Sequence, residues 1–196
     1  MLRTSSSLSQ TENHVFDQST HLFSTNNSIS LYNKQMLKQL NVPIALCSAE
    51  VRKQTLLLAP EDEQLDMVAL LAIGQQVMLT TKLWVEAGLV NGALGQVVSI
   101  LYNTATTPPM LPFFVVVEFV NYKGPPWDAS NPTYIPILPL TRGSHRQLPL
   151  RMAWGLTIHK SQGMTLQKAT IDIGNIDRQG LTFTTVKELD NSLTYA

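Results

Sequence analysis

Two spacings of apolar residues along this chain predict two kinds of element. A helix with one apolar face is predicted where such residues recur at intervals of three and four: Ile29, Tyr32, Met36, Leu37 and Leu40. A short apolar run at 22–25 precedes this helix, and a second run at 44–47 follows it. A strand, a helix and a strand within about thirty residues predict the unit of a parallel α/β sheet.

Residues 75–145 carry short apolar runs that are separated by turn residues. Strands are predicted at 75–80, 113–119 and 134–140, with loops rich in Pro and Gly between them. The pair Asn91-Gly92 stands between apolar residues and predicts a hairpin, because both positions tolerate a positive φ. Several short strands with such turns predict a small antiparallel barrel or sandwich over residues 88–145.

The pattern changes again after Pro149. A helix within 150–163 is predicted from Met152, Trp154, Leu156 and Ile158, and a buried strand is predicted at 169–174. The fold is therefore expected to be an α/β domain that is interrupted by a β insert and then resumed. The expected boundaries are a disordered tail at 1–20, the α/β domain at 21–87 and 146–196, and the insert at 88–145.

The composition favours a folded globule with no general attraction for nucleic acid. Of the 196 residues 44% are apolar, and 14 basic side chains balance 14 acidic ones, so any phosphate binding depends on a few placed groups. The single cysteine, Cys47, excludes an intrachain disulfide and a cysteine-based zinc site. The uncharged run at 87–117 is not predicted to span a membrane, because it contains three prolines and several polar residues.

The densest polar cluster lies at 157–165, directly before a predicted strand. Its hydroxyl, imidazole, ammonium and amide groups suit the binding of phosphate oxygens. A solvated loop with an incidental histidine explains the same composition equally well. The pair Lys160-Ser161 resembles the end of a phosphate loop, but the Gly-x-x-x-x-Gly-Lys frame is absent there and elsewhere in the sequence. We therefore recognise no site in the sequence for the β- and γ-phosphates of ATP.

Other catalytic schemes find little support in the sequence. No two histidines stand four residues apart with a carboxylate, as in a metalloprotease-type zinc site, so no metal ligands are predicted. Cys47 lies in an apolar run and is expected to be a buried structural thiol. Asp172, at the end of a predicted strand, is expected to be a turn or cap residue. Several aromatic residues can stack on bases, but most are expected to form the barrel core: Trp84, Tyr102, Phe113, Phe114, Tyr122, Trp127 and Tyr134.

Five motifs occur in a familiar order along the chain. They are 21–26 (HLFSTN) with Tyr32-Asn33, Gly74 with 77–79 (VML), 88–92 (GLVNG), 147–150 (QLPL) and 157–163 (TIHKSQG). Together they resemble the C-terminal half of Pif-type DNA helicases of superfamily one, over about residues 20–175. The resemblance implies a second RecA-like domain interrupted by a small SH3-like antiparallel β-barrel.

The resemblance also implies partners, cofactors and site residues. The residues expected to face the phosphate backbone of single-stranded DNA are Thr157, His159, Lys160, Thr25 and Asn26. The residues expected to lie toward the nucleotide are Gln162 and Gly163. ATP and Mg²⁺ are the family's cofactors, and a first RecA-like domain on another chain would supply what this sequence lacks. A nuclear or mitochondrial location, and roles in DNA repair, recombination and telomere maintenance, follow from the same resemblance.

Two departures from the family pattern bear on activity. The phosphate loop and the other first-domain motifs have no counterpart in this sequence, and no Ala-Leu-Ser-Arg motif follows the last predicted strand. Either Glu188 replaces that arginine or the stretch is deleted after Thr185, and both remove a cation that phosphoryl transfer requires. We therefore expect a helicase fragment that contacts single-stranded DNA, binds no cofactor alone and hydrolyses no ATP alone. The alternatives are a non-catalytic DNA- or protein-interaction module and an incomplete gene product.

Overall fold

The chain forms two compact units. A computed structural model describes residues 19–51, 66–162, 164, 166 and 169–172. One unit runs through Met36 and resumes at Ala153, and the other extends from Leu37 to Met152. Among the described residues no helix is both long and apolar enough to cross a membrane. Most of the expected tail at 1–20, and the positions Gly163, Thr185 and Glu188, lie outside the described residues.

Three parallel strands form the sheet of the first unit: β1 (Thr20–Phe23), β12 (Gly155–Thr157) and β13 (Ala169–Asp172). β1 lies between the other two strands, and its Leu22 side chain is fully buried. Phe23 is aligned with Thr157 on one side and with Asp172 on the other. All three strands therefore end at the same edge of the sheet, which we call the carboxyl edge.

The helix predicted from the spacing of three and four is confirmed as α1 (Asn26–Gln39). Leu37, on its apolar face, is only 2% exposed. The helix ends where Asn41 adopts a φ of 51° and donates its N–H to the carbonyl of Lys38 at 3.2 Å. Asn is one of the few residues other than Gly that enter this left-handed region at low cost, so it can terminate a helix in this way.

The predicted parallel unit of β1, α1 and the next strand is wrong. The strand that follows α1 is β2 (Ala45–Ser48), and it pairs antiparallel with β4 (Val68–Leu71) in a separate sheet. The described parallel partners of β1 come instead from β12 and β13, far along the chain. A short apolar run indicates burial but does not specify the strand with which it pairs.

Antiparallel strands make up the second unit. Its main sheet contains β5 (Gln76–Leu79), β6 (Leu94–Leu101), β7 (Phe114–Glu118), β8 (Tyr134–Ile137) and β11 (Leu150–Met152). Their order is β11-β5-β6-β7-β8. A second sheet joins β3 (Glu50–Val51), β10 (His145–Gln147) and β9 (Leu140–Arg142).

Aliphatic side chains form the core of the second unit. Val77, Leu79, Val115 and Val117 are completely buried, and Val97 is 1% exposed. These residues stand at alternate positions on three neighbouring strands, as expected for the inward face of a pleated sheet. The strands predicted at 75–80, 113–119 and 134–140 are thus confirmed as β5, β7 and β8, with shorter bounds.

The predicted barrel is not found. Within the described part of the chain, β11 and β8 are the edges of the main sheet and do not pair with each other, so the sheet stays open. The sheet also contains β5 and β11, which lie outside the expected insert at 88–145. Turn residues locate strand ends, whereas closure depends on strand number, tilt and shear, which the local sequence does not encode. The SH3-like barrel that the family resemblance implies is therefore not confirmed.

The Asn91-Gly92 pair forms a turn, but not the predicted hairpin. Ala93 donates its N–H to the carbonyl of Val90 at 3.0 Å, and of the two central residues only Gly92 has a positive φ, 93°. That combination is typical of a type II turn, whose twist does not match two adjoining strands. The strand after this turn, β6, pairs instead with β5, and residues 80–93 connect the two strands.

The helix predicted within 150–163 is also wrong. This stretch holds β11, β12 and a short 3-10 helix, His159–Ser161. The apolar residues used for that prediction stand two apart, which is the period of a strand rather than of a helix. Trp154, Leu156 and Ile158 are all buried, so the spacing of two reports burial in an extended segment.

Aromatic residues were expected in the core, and for three of them the structure contradicts this. Trp84 is 43% exposed, and Phe113 and Trp127 are each 57% exposed. Tyr122 packs against the aliphatic core but is only partly buried. The core is filled mainly by branched aliphatic residues on neighbouring strands, together with Phe119, so these three rings remain at the surface.

A buried glutamine connects two sheets of the second unit. The side chain of Gln147 is fully buried, donates through Nε2 to the carbonyl of Cys47 at 3.1 Å, and accepts from the N–H of Leu148 at 2.9 Å. These two bonds pair backbone groups that water cannot reach, and an unpaired buried polar group costs about 1–3 kcal/mol.

Replacing Gln147 by Ala removes both bonds and leaves the buried N–H of Leu148 without its side-chain acceptor. We expect Gln147→Ala to lower the free energy of unfolding by about 2 kcal/mol or more, measured by urea denaturation. Gln96→Ala is the matched control, because its side chain donates to the carbonyl of Gly74 on the exposed surface. We expect that change to stay within about 0.5 kcal/mol. Equal effects of the two substitutions would contradict a structural role for Gln147.

Candidate nucleic-acid interface

The carboxyl edge of the parallel sheet brings together two of the predicted segments. Residues 24–26 follow β1 directly, and residues 158–160 follow β12 directly. The N–H of Ile158 donates to the carbonyl of Phe23 at 3.2 Å, so the two segments leave neighbouring positions of the sheet. The loops beyond the carboxyl ends of parallel strands are the usual place for ligands in α/β sheets.

Thr25 caps the helix that starts at this edge. Its Oγ1 accepts the N–H of Ser28 at 3.1 Å and lies 2.8 Å from the hydroxyl of Ser28. Asn26 is exposed in the first turn, which contains no acidic residue. The N-terminus of α1 therefore presents backbone N–H groups and the positive end of its dipole to solvent, where a phosphate is stabilised.

Thr157 plays a similar part for the 3-10 helix. Its Oγ1 accepts the N–H of Lys160 at 3.1 Å, which fixes the turn after β12. Ser161 is 3% exposed and donates its hydroxyl to the carbonyl of Ile158 at 2.7 Å. Two of the hydroxyl groups in the predicted polar cluster thus stabilise its own backbone.

Three further polar side chains of the cluster, among the described residues, are exposed. His159, Lys160 and Gln162 are all exposed. Gln162 follows the 3-10 helix in an extended conformation, with φ −61° and ψ 127°. The turn capped by Thr157 therefore presents an imidazole, an ammonium and an amide at the carboxyl edge, all of which can donate hydrogen bonds to phosphate oxygens.

The residues that hold this edge in place were not predicted from the chemistry of the sequence. Asn33 on α1 is 4% exposed; its Nδ2 donates to the carbonyl of Gly155 at 3.1 Å, and its Oδ1 accepts the N–H of Gly155 at 2.7 Å. In a parallel strand alternate residues direct their backbone groups away from the neighbouring strand. Asn33 therefore occupies the place of a further strand beside β12.

Gly155 is required by close packing at this contact. A Cβ atom on Gly155 would lie 3.0 Å from the ring of Phe23 and 3.1 Å from the ring of Tyr32. Tyr32 also packs against His21, with ring centroids 4.5 Å apart. The only signal for this arrangement in the sequence was the Tyr32-Asn33 pair, which belongs to one of the ordered motifs.

The surroundings of the cysteine do not suit a catalytic nucleophile. Cys47 is fully buried in β2, and burial raises the pKa of its thiol, while a hydrogen bond with the hydroxyl of Tyr102 at 3.5 Å acts in the opposite direction. A raised pKa keeps the thiol protonated at neutral pH. Among the described residues, no three His, Cys, Asp or Glu side chains gather as a set of metal ligands.

Known proteins resemble the chain over most of its length. The ATP-dependent DNA helicase PIF1 of Danio rerio is 32% identical over 179 residues, which are 88% of this chain and 27% of that protein. PIF1 of Xenopus laevis is 28% identical over 193 residues, 94% of this chain and 28% of that protein. Over most of its length, the chain is a homologue of the Pif1 helicases. It spans about a quarter of the length of these two Pif1 relatives.

Pif1 structures also share the fold. The crystal structure of Pif1 from Bacteroides in complex with ADP-AlF3 and single-stranded DNA matches 89% of this chain and 37% of the Bacteroides chain, with a TM-score of 0.55 and 20% sequence identity. The described residues of this chain therefore share the RecA-like fold of the Pif1 helicase structures. No protein-family model matches the chain.

The contact between Asn33 and Gly155 is open to a direct test. We expect Asn33→Ala to lower the free energy of unfolding by about 2–4 kcal/mol, because it leaves a buried N–H and a buried carbonyl unpaired. Chemical denaturation followed by circular dichroism measures the change. Asn27→Ala, at an exposed position of the same helix, is the control and is expected to change stability by about 0.5 kcal/mol or less. If both variants unfold at the same denaturant concentration, Asn33 does not hold α1 against β12.

Proposed function

We propose that this chain contributes single-strand DNA contacts and one face of the ATP cleft to a Pif1-type helicase, and that it is not a motor by itself. The observation that carries the proposal is the exposed pair His159 and Lys160, placed at the carboxyl edge by the turn that Thr157 caps. The homology to PIF1 and the single-stranded DNA in the Bacteroides Pif1 structure support this choice of ligand.

Phosphates of a single strand suit the groups at this edge. Lys160 supplies a positive charge and N–H donors, and His159 adds a ring donor. The start of α1, with exposed Asn26, adds backbone N–H groups that favour an anion. None of these groups distinguishes one base from another, so the contact is expected to read the DNA backbone rather than its sequence.

On the nucleotide side, this chain offers one face of an ATP cleft. Gln162 is exposed and its amide can form a hydrogen bond with a nucleotide. The hydroxyl of Ser161, which in a phosphate loop would bind Mg²⁺, is buried and bonded to the carbonyl of Ile158. The described residues therefore do not form a triphosphate site, and ATP with Mg²⁺ requires a first RecA-like domain in addition.

Binding to DNA is tested by fluorescence anisotropy with a labelled oligo-dT strand at low salt. We expect measurable binding that Lys160→Gln and His159→Ala each weaken several-fold, because each removes a phosphate contact. Lys160→Gln is also expected to reduce the slope of log K against log salt by about 0.7.

A matched control separates this contact from general charge. Lys34 is exposed on α1, eight residues after Asn26 and so about 12 Å further along the helix axis. We expect Lys34→Gln to leave affinity within about twofold of the unchanged chain. Equal weakening by Lys34→Gln would contradict a specific site, and no binding at low salt would favour the protein-interaction module.

ATP hydrolysis tests the second half of the proposal. The purified chain, with Mg²⁺, ATP and oligo-dT, is expected to show no turnover above a protein-free blank, because the described residues provide no complete phosphate site. Phosphate release measured over hours provides the readout. Hydrolysis that increases with DNA would show that the chain is an ATPase without a further domain.

A further inference from the structure

The second unit carries an exposed hairpin that the candidate interface does not include. We call residues 81–89 the Trp84 hairpin. Trp84 and Leu89 form an antiparallel bridge, in which each N–H donates to the other's carbonyl at 3.0 and 2.9 Å. Gly88 closes the turn by donating to the carbonyl of Val85 at 3.0 Å, with a φ of 83°. The hairpin therefore has a defined backbone.

Its base is anchored and its outer side chains are not. Leu89 is 4% exposed and Ala87 is 1% exposed, so both hold the hairpin to the core. Trp84 and Val85, in contrast, are 43% and 58% exposed. A large indole that is held on a fixed backbone and left open to solvent loses little conformational freedom when a flat ring stacks on it.

Three cationic residues lie on this hairpin or on segments that bond to it. Lys82 is part of it and is exposed. The guanidinium of Arg142 donates to the hydroxyl of Thr81 at one end. At the other end, the backbone N–H of Lys123 donates to the carbonyl of Ala87 at 3.0 Å.

The hairpin itself carries no net charge, because Lys82 is balanced by Glu86. A positive excess beside Trp84 therefore depends on Lys123 and Arg142, from the two segments that bond to the hairpin. Exposed aromatic rings beside cationic side chains are the combination that binds single-stranded nucleic acid, because the ring stacks on a base and the cations attract the phosphates.

We propose that the Trp84 hairpin is a second single-strand DNA contact, in which the indole of Trp84 stacks on a base and Lys82, Lys123 and Arg142 attract the adjacent phosphates. The proposal rests on the proposed function and adds a contact in which an aromatic ring stacks on a base. It differs from the contact at His159 and Lys160, which holds phosphates alone. Stacking accepts every base, so it adds affinity without sequence preference.

Another exposed tryptophan in the same unit provides a matched control. Trp127 is 57% exposed, but its ring packs edge-on against Phe114 at 6.1 Å between centroids, and Phe114 in turn packs against Phe113 at 5.5 Å. Neighbouring rings already occupy this cluster. Removing Trp127 therefore controls for the loss of an exposed indole.

The experiment compares two labelled strands of equal length, oligo-dT and an abasic strand with the same phosphates. We expect Trp84→Ala to weaken oligo-dT binding about fivefold or more and to leave abasic binding unchanged, because only a base can stack. Trp84→Phe is expected to retain most of the affinity for oligo-dT. Lys82→Gln combined with Lys123→Gln is expected to weaken binding of both strands and to reduce the salt slope by about 1.4.

Tryptophan fluorescence gives a readout that does not depend on affinity. The chain has three tryptophans, of which Trp154 is buried. We expect oligo-dT to quench part of the emission, and we expect that quenching to be lost in Trp84→Phe and retained in Trp127→Phe. Circular dichroism of each variant establishes that it is folded.

The outcomes separate this proposal from the proposed function. If Lys160→Gln weakens binding while Trp84→Ala does not change it, the hairpin contact is overturned and the edge contact stands. Equal weakening by Trp84→Ala and Trp127→Ala, or equal weakening for the dT and abasic strands, also overturns stacking at Trp84. If the unchanged chain binds neither strand at low salt, both proposals fail.

Discussion

The pairing of Asn33 with Gly155 is the interaction on which the candidate interface depends. In the described sheet β12 has a strand on one side only, so the outward N–H and carbonyl of Gly155 would otherwise lack a partner. One side-chain amide binds both groups, and the missing Cβ of Gly155 lets the rings of Phe23 and Tyr32 close over them. The same contact fixes α1 relative to β12. It thereby places the start of the helix and the 3-10 turn at one edge of the sheet.

The hydroxyl groups at the carboxyl edge have a structural role, whereas the charged and basic side chains beside them are open to a ligand. Thr25, Thr157 and Ser161 each bond to nearby backbone and so shape the turns. His159 and Lys160 are left exposed on a turn that those bonds define. A ligand that binds there meets side chains on a backbone that is already ordered, which lowers the entropy cost of binding.

Local features of the fold were predictable from sequence, and pairings between distant segments were not. The periodicity of α1 and the apolar runs of β5, β7 and β8 identified those elements, since burial on one face leaves a period in the sequence. The partner of β1 was wrongly predicted, because an apolar run such as 44–47 carries no mark of the sheet that it joins. The polar cluster at 157–162 was found from composition, whereas Asn33 and Gly155 were not, because one amide and one glycine have no local signature of a contact across 122 positions. The segments that bond to the Trp84 hairpin were hidden for the same reason: Lys123 and Arg142 contact it only after folding.

We propose above that single-stranded DNA binds at the carboxyl edge of the parallel sheet, on the turn that follows β12. The most direct measurement is a titration of the ¹⁵N-labelled chain with oligo-dT, followed by two-dimensional NMR of the backbone amides. We predict that the amide signals of Asn26, His159 and Lys160 shift in proportion to the DNA bound, while those of the core strand β7 stay in place. Binding that shifts other signals and leaves these three unchanged would contradict the claim.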